Sequence, residues 1–488
     1  MKRLAGAALC ALAFVPTGVF AQRIPPPPTA NITFTPDRPS GVYDVGEPVG
    51  WTVRAPMGMG PTRYTWVARE NNGPEVASGV LDLKSGEGRI ETRLPRPGML
   101  YVRLSHADAS APAPTPTADE LAAINAALAR TVEADAALKS LIQRYPDYAA
   151  MGPTPPPSAA ELDKLTVAAA VAPTRIGVTD PRPADFDAFW AGRLRAQAAI
   201  PINPKETPVP GAPAGVDLSV VTLDALGSTV HGYLAKPTKP GKYPALIVYQ
   251  YAGVYPLRTD TATNRAEEGW LTFNIQAHDM APDQATAPRN YGQVGNDDRE
   301  SSYFLGMYLR ATRALEYVRS RADWDGRTVV LMGTSQGGQQ SLVTAALNPD
   351  KVTALVVNVP AGGDLNGDLY GRSEGFPNWR GDNPRQVEAA RYFDIVNFAP
   401  SIRAASLIAL GYLDTVSTPV GVFAAFNQIK GPKEAVAMVE SDHNHITPQK
   451  QDGYYRRARE ALAELRKTGR LTLDGGCSVT PGARCGRR

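Results

Sequence analysis

A serine, an aspartate and a pair of histidines stand in one order along the last third of this chain, and together they can make a nucleophile. Ser335 is the centre of Gly333-Thr334-Ser335-Gln336-Gly337. The β-branched, apolar run ahead of it, residues 327–332, reads as a buried strand, and residues 338–347 read as a helix with small residues near its start. A G-x-S-x-G pentapeptide at a strand-to-helix turn is a nucleophile elbow. The turn is too tight for side chains at its flanks, so glycines stand there and the serine hydroxyl is left proud of the sheet. The backbone N–H of Gln336, at the helix start, then points at an oxyanion forming on a substrate carbonyl. In a chain rich in glycine the bare pattern also arises by chance, so its meaning depends on a base and an acid in the right places.

The chain holds five histidines, which allows elimination. His106 falls in the N-terminal region, His231 inside an early strand-like run, and His278 just after a later one. His443 and His445, in Ser441-Asp442-His443-Asn444-His445, follow the last strand-like run. The order Ser…Asp…His requires the base there. The acid belongs after the preceding strand, where Asp414 closes the run that starts at Leu407. A carboxylate at that point can accept the Nδ1–H of the histidine, fixing its tautomer and steadying the imidazolium formed as serine attacks. Asp442 and Asp394 compete for the role and read equally as cap or turn residues.

The elements that must position these groups come from hydrophobic patterning. From about residue 174, strand and helix signals alternate, with strand-like runs at 218–223, 229–235, 244–250, 270–276, 328–332, 353–359, 405–411 and 435–440. The first two form an antiparallel start, and the elbow follows the fifth. This predicts a mostly parallel eight-stranded sheet with helices on both faces, an α/β-hydrolase fold, over residues 174–470. Ahead of it, short strand-like runs separated by Asn71-Asn72-Gly73, Ser85-Gly86 and Pro97-Gly98 predict a small immunoglobulin-like β-sandwich over residues 28–107. Trp51 and Trp66 are assigned to its packing. Residues 108–173 read as a linker with a helix, opened by the capping pattern Thr117-Ala118-Asp119-Glu120 and continued by Leu121, Ile124, Leu128 and Val132. Residues 471–488 read as a flexible tail.

Composition narrows the class. Of 488 residues, 43% are hydrophobic and 20% charged, and 51 basic against 48 acidic residues give a net charge of +3. That is an ordinary globular balance with no basic run, which excludes a nucleic-acid binder. Lys2 and Arg3, the apolar stretch from Leu4 to Val15, and Val19-Phe20-Ala21 read as a signal peptide over residues 1–21, implying a periplasmic or secreted protein. No other stretch is long and apolar enough for membrane insertion. Cys477 and Cys485 lie in the tail, where an oxidising compartment would let them close a small disulfide. They have no histidine neighbours, and no metal site is expected.

Several blocks together resemble carbohydrate esterase family 7, the acetylxylan esterase/cephalosporin-C deacetylase group. They are residues 183–190, Gly333–Gly338, residues 392–399, Gly411–Pro419, and residues 423–429 followed by Gly431-Pro432-Lys433-Glu434. The resemblance covers roughly residues 174–468. It places the triad on Ser335, Asp414 and His443, and the oxyanion donors on the N–H groups of Gln336 and Val254. It also suggests Tyr251 and His278 as substrate-binding residues. Two positions depart from the family pattern: an Arg-Gly-Gln signature is replaced by Gln276-Ala277-His278, and a His-Glu pair reads His443-Asn444.

Together with the signal peptide, the resemblance implies a secreted serine esterase that removes acetyl groups from carbohydrates such as acetylated xylan or xylo-oligosaccharides, with no metal or organic cofactor. Oligomeric state is left open. Two alternatives stand beside it: a prolyl-oligopeptidase-like peptidase, and a carbohydrate-binding homologue that has lost activity.

Overall fold

The alternation of apolar and polar residues is realised as three sheets in a computed structural model, which describes residues 32–55, 63–106, 165–379, 383–443 and 448–479. The expected signal peptide, the helix opened at Thr117, and Cys485 lie outside the described residues.

Two of the sheets form the N-terminal sandwich. One has the order β1-β3-β6, from Thr33–Pro36, Val49–Arg54 and Glu87–Thr92. The other has the order β2-β8-β7-β4-β5, from Val42–Tyr43, Thr166–Val171, Gly98–His106, Arg63–Glu70 and Glu75–Asp82. Between them pack Trp51, Val53, Tyr64, Ile90, Leu100, Val102, Leu104, Ala169 and Val171. Trp51 is buried and Trp66 packs against the same core, so both serve packing.

The stretch expected to be linker requires a correction. Thr166–Val171 is a strand, antiparallel to β7 and parallel to β2, so the sandwich takes one strand from beyond residue 107. Its Ala-rich sequence carries a weak strand signal, and pairing with β7 decides the matter.

Strands β7 and β8 are apolar on both faces. Leu100, Val102, Ala169 and Val171 face the sandwich core, while Met99, Tyr101, Ala168 and Ala170 join the core of the following sheet. Successive side chains of a strand point to opposite faces, so a strand buried on both sides links two cores.

The third sheet has nine strands in the order β17-β16-β15-β14-β12-β13-β11-β10-β9. The eight expected runs appear as β10 Val216–Ala225, β11 Ser228–Pro237, β12 Tyr243–Tyr249, β13 Leu271–Ile275, β14 Trp324–Thr334, β15 Ala354–Asn358, β16 Ala405–Gly411 and β17 Lys433–Met438. The added strand, β9 at Lys205–Pro208, corrects the expected count of eight; it is a fully exposed edge strand with no apolar alternation to signal it. β12 to β17 pair in parallel, and β9, β10, β11 and β13 are joined antiparallel.

The central strands are apolar throughout because helices cover both faces. On one side Ile247, Val329, Leu331 and Val357 pack with residues of the helices Phe186–Ala198, Tyr303–Ser320 and Pro419–Gln428. On the other, Leu246, Val330, Val356 and Leu407 meet Tyr454, Ala458, Ala461 and Leu465 of the helix Asp452–Thr468. No helix among the described residues is long and apolar enough to cross a membrane.

Candidate active site

The elbow forms because two glycines permit a backbone approach that no side chain would allow. A Cβ on Gly333 would lie 2.2 Å from the Gly337 carbonyl carbon, and one on Gly337 would lie 2.3 Å from the Tyr249 oxygen. Ser335 itself takes φ 56°, ψ −122°, a strained backbone for a residue with a side chain, held by Ser335 N–H donating to Asn358 O at 3.0 Å. The helix Gln336–Leu347 starts at the next residue, so the Gln336 N–H has no partner within the helix and is free to face a ligand. Ser335 is almost wholly buried, 6% exposed, at the carboxyl end of the parallel strands, where the loops of such a sheet build a site.

Ser335 Oγ lies 2.9 Å from His443 Nε2, and His443 Nδ1 lies 2.7 Å from Asp414 Oδ2. Asp414 leaves the end of β16 and His443 follows β17, so adjacent strands bring the two together. The Asp414 carboxylate is fully buried, and its Oδ1 accepts the N–H groups of Val416 at 2.8 Å and Ser417 at 2.7 Å. Those donors satisfy one oxygen and aim the other at the imidazole. Burial pulls the His443 pKa down, but the Asp414 charge and hydrogen bond, with a further pull from Asp442, outweigh it and the net shift is upward from the ordinary 6.5. A carboxylate can only accept, so Nδ1 carries the proton toward Asp414, which leaves the Nε2 lone pair facing Ser335 Oγ, an arrangement able to take up the hydroxyl proton.

The competing residues go elsewhere. Asp394 caps the short helix Ile395–Phe398, accepting from Val396, Leu365 and Asp364 N–H groups; burial, with the nearby Asp364 charge, pushes its pKa up to about 7. Asp442 is buried beside the relay and makes no hydrogen bond to it, its carbonyl oxygen taking one from Gln451 instead. His231 sits 3.5 Å from Asp279, away from Ser335. His445 lies outside the described residues.

Val254 and Tyr251 are on the loop after β12, partly exposed, with the Tyr251 ring 4.7 Å from that of Tyr255. His278, suggested by the resemblance as a substrate-binding residue, is fully buried behind that loop. Its Nε2 is 3.0 Å from Gly253 O and its Nδ1 2.9 Å from Tyr303 Oη, so packing against the loop, and not contact with a ligand, is its place.

Sequence reasoning missed four polar side chains around this site. Tyr291 reaches the loop after β12 from a segment with no regular pattern, its Oη accepting the Gly253 N–H, and Tyr303, the first residue of the helix Tyr303–Ser320, reaches His278 behind that loop. Asn358 and Gln451 form a second brace: Asn358 Nδ2 donates to Gln451 Oε1 at 2.9 Å, and Gln451 Nε2 donates to Ser441 Oγ at 3.0 Å. Buried glutamine and asparagine at strand and helix ends carry no signal in a single sequence.

Comparison with known proteins agrees with this arrangement. The acetyl xylan esterase family, AXE1, matches residues 176–366 and 377–460, a span that holds all three relay residues. The acetyl esterase Axe7A of Xylanibacter ruminicola is 34% identical over 288 residues, covering 54% of this chain and 63% of its own length. The chain therefore spans less than two thirds of that curated relative. The solved structure of an acetyl xylan esterase from Paenibacillus sp. R4 superposes with a TM-score of 0.52 at 22% identity, covering 59% of this chain and 98% of that one, which shows a shared α/β-hydrolase fold. With more than half of its length matched and a nucleophile elbow on that fold, the chain belongs to the acetyl xylan esterase family.

Proposed function

We propose that this protein is a serine esterase that removes acetyl groups from carbohydrate hydroxyls, with Ser335 as nucleophile, His443 as general base and Asp414 as its orienting acid. The observation that carries the reading is the continuous relay from Ser335 Oγ to His443 Nε2 at 2.9 Å and from His443 Nδ1 to Asp414 Oδ2 at 2.7 Å.

Ser335 Oγ attacks the ester carbonyl carbon as its proton passes to His443 Nε2, and the carbonyl π pair moves onto oxygen. The N–H groups of Gln336 and Val254 hold that oxyanion. Collapse breaks the bond to the sugar oxygen, which leaves with the proton from His443, and Ser335 is acetylated. Water then gives its proton to the same imidazole, attacks the acyl carbon, and acetate departs as Ser335 regains its hydrogen. Asp414 remains a carboxylate throughout and stabilises the imidazolium.

Membership of the acetyl xylan esterase family supports acetylated xylan or xylo-oligosaccharide as the substrate class. The basic, apolar and small-residue order of residues 1–21 supports export to the periplasm or medium. An inactive homologue is disfavoured by the complete relay. A peptidase of the prolyl-oligopeptidase type is disfavoured because the described strands ahead of the hydrolase sheet form a two-sheet sandwich, with none of the radial repetition of a propeller.

The test is acetate release from acetylated xylo-oligosaccharides, a cephalosporin and a small aryl acetate, comparing the native protein with Ser335→Ala. Loss of release from every substrate in the variant is expected. Unchanged release in Ser335→Ala would falsify the mechanism, and release from the aryl acetate alone would remove the carbohydrate assignment.

A further inference from the structure

We propose that His278 and Tyr291 are positioning residues of the oxyanion hole: His278 fixes the plane of the Gly253–Val254 peptide, whose N–H is one donor, and Tyr291 ties the preceding peptide, through the Gly253 N–H, to the side chain of Gln336, whose backbone N–H is the other. The proposal rests on the reading of Ser335 as the acylated nucleophile and of the Val254 N–H as an oxyanion donor.

The peptide between Gly253 and Val254 is a planar trans unit, so its C=O and N–H point in opposite directions. His278 Nε2 lies 3.0 Å from that carbonyl oxygen. A carbonyl can only accept, so Nε2 carries the hydrogen and Nδ1 accepts the Tyr303 hydroxyl at 2.9 Å. Burial keeps the imidazole neutral, its pKa held down to about 4 against the pull of the Gly253 carbonyl, with Arg310 pushing it down further. An imidazole gripping the oxygen from behind therefore sets where the Val254 N–H aims in front. The same bond polarises the amide and makes its N–H a stronger donor.

An outside hold is needed here because Gly253 has φ +121°, a conformation open to glycine, whose backbone has little preference of its own. Tyr291 supplies the second point of attachment. Gly253 N–H donates to Tyr291 Oη at 3.1 Å, and since that oxygen accepts, its own hydrogen goes to Gln336 Oε1 at 2.7 Å. One phenol thus joins the residue before one donor to the side chain of the other. The rings of His278, Tyr291 and Tyr303 pack on one another with centroids 4.7 to 5.7 Å apart, which stiffens the cluster. His278 is fully buried and Tyr291 only 4% exposed, so both act through the loop.

The experiment measures kcat and KM for an aryl acetate, and binding of phenylboronic acid, which forms a tetrahedral oxyanion-like adduct with an active serine. Variants are His278→Leu, His278→Gln and Tyr291→Phe, with Ser335→Ala as reference. In His278→Leu and Tyr291→Phe, kcat should fall at least about 10-fold, short of the roughly 10²–10³ lost on deleting a donor outright. KM should stay within about twofold and boronate affinity should fall in parallel with kcat. His278→Gln, whose amide can both donate to Gly253 and accept from Tyr303, should recover most of the loss. If His278→Leu does not fold, Tyr291→Phe and Tyr303→Phe, which remove only a hydroxyl, carry the same expectation. Native kcat and boronate affinity in the folded variants, or a loss confined to KM, overturns the proposal. Should Ser335→Ala hydrolyse the ester as the native protein does, the nucleophile reading fails instead.

Discussion

Tyr101, on a strand of the N-terminal sandwich, is buried close enough to Asp414 of the hydrolase domain for that carboxylate's charge to add to burial in raising the phenol's pKa. The same surface brings Gly41 against the Tyr412 ring, where a Cβ would lie 2.9 Å from the nearest carbon, and Asn71 O accepts Ser373 N–H at 3.2 Å. The sandwich thus packs beneath the turn that carries the acid. Tyr101→Ala would leave a cavity there, at a cost of about 3–5 kcal/mol. We expect a lowered Tm with both domains unfolding in a single transition, and lost esterase activity at temperatures where the variant is still folded. Two separated calorimetric transitions would show that the sandwich is an independent attachment.

The pH profile follows from the direction of the His443 shift. Because the base must be neutral and its pKa is raised, the acid limb of kcat/KM should lie above 6.5. In Asp414→Asn the opposing charge is gone and burial dominates, so the limb should move to lower pH while the plateau falls about 10⁴-fold. A limb that stays in place would sink the assignment of Asp414. Stability runs the other way: a raised folded pKa favours the protonated form, so this contribution is complete below 6.5 and is lost as pH rises through the folded value.

Gln451 holds the histidine loop from below, linking Ser441 Oγ and Asp442 O to Asn358, whose own carbonyl accepts the Ser335 N–H. Gln451→Leu leaves the buried Asn358 amide unpaired, a cost of about 1–3 kcal/mol. The expected result is a lower Tm and a kcat reduced several-fold with KM unchanged, because the residue touches no substrate. Thermal melts and steady-state kinetics on the purified variant check both.

Gly337→Ala tests the elbow itself. Its Cβ would stand 2.3 Å from a backbone oxygen, which cannot swing aside as a side chain would. The strand and helix must part, so destabilisation at or above the roughly 1–3 kcal/mol usual for overpacking is expected, with activity lost. Native-like denaturant midpoint and turnover in this variant would mean that the turn is looser than drawn.

Periodicity and order were enough for much of this protein. The apolar β-branched runs, the glycines around Ser335, and the sequence Ser335, Asp414, His443 determine an α/β-hydrolase sheet with Ser335 on a tight turn at its rim, because strand burial, a tight turn and chain order all leave local marks. The edge strand at Lys205–Pro208 and the strand at Thr166–Val171 left no such marks, since pairing with neighbours, not composition, made them strands. Only the tertiary structure decided that His443 faces Ser335, that His278 is buried behind Gly253, and that Tyr101 is buried within reach of the Asp414 charge. Each of those is a meeting of segments far apart in the chain, fixed by sheet order and by directional hydrogen bonds, and none is written in the residues nearby.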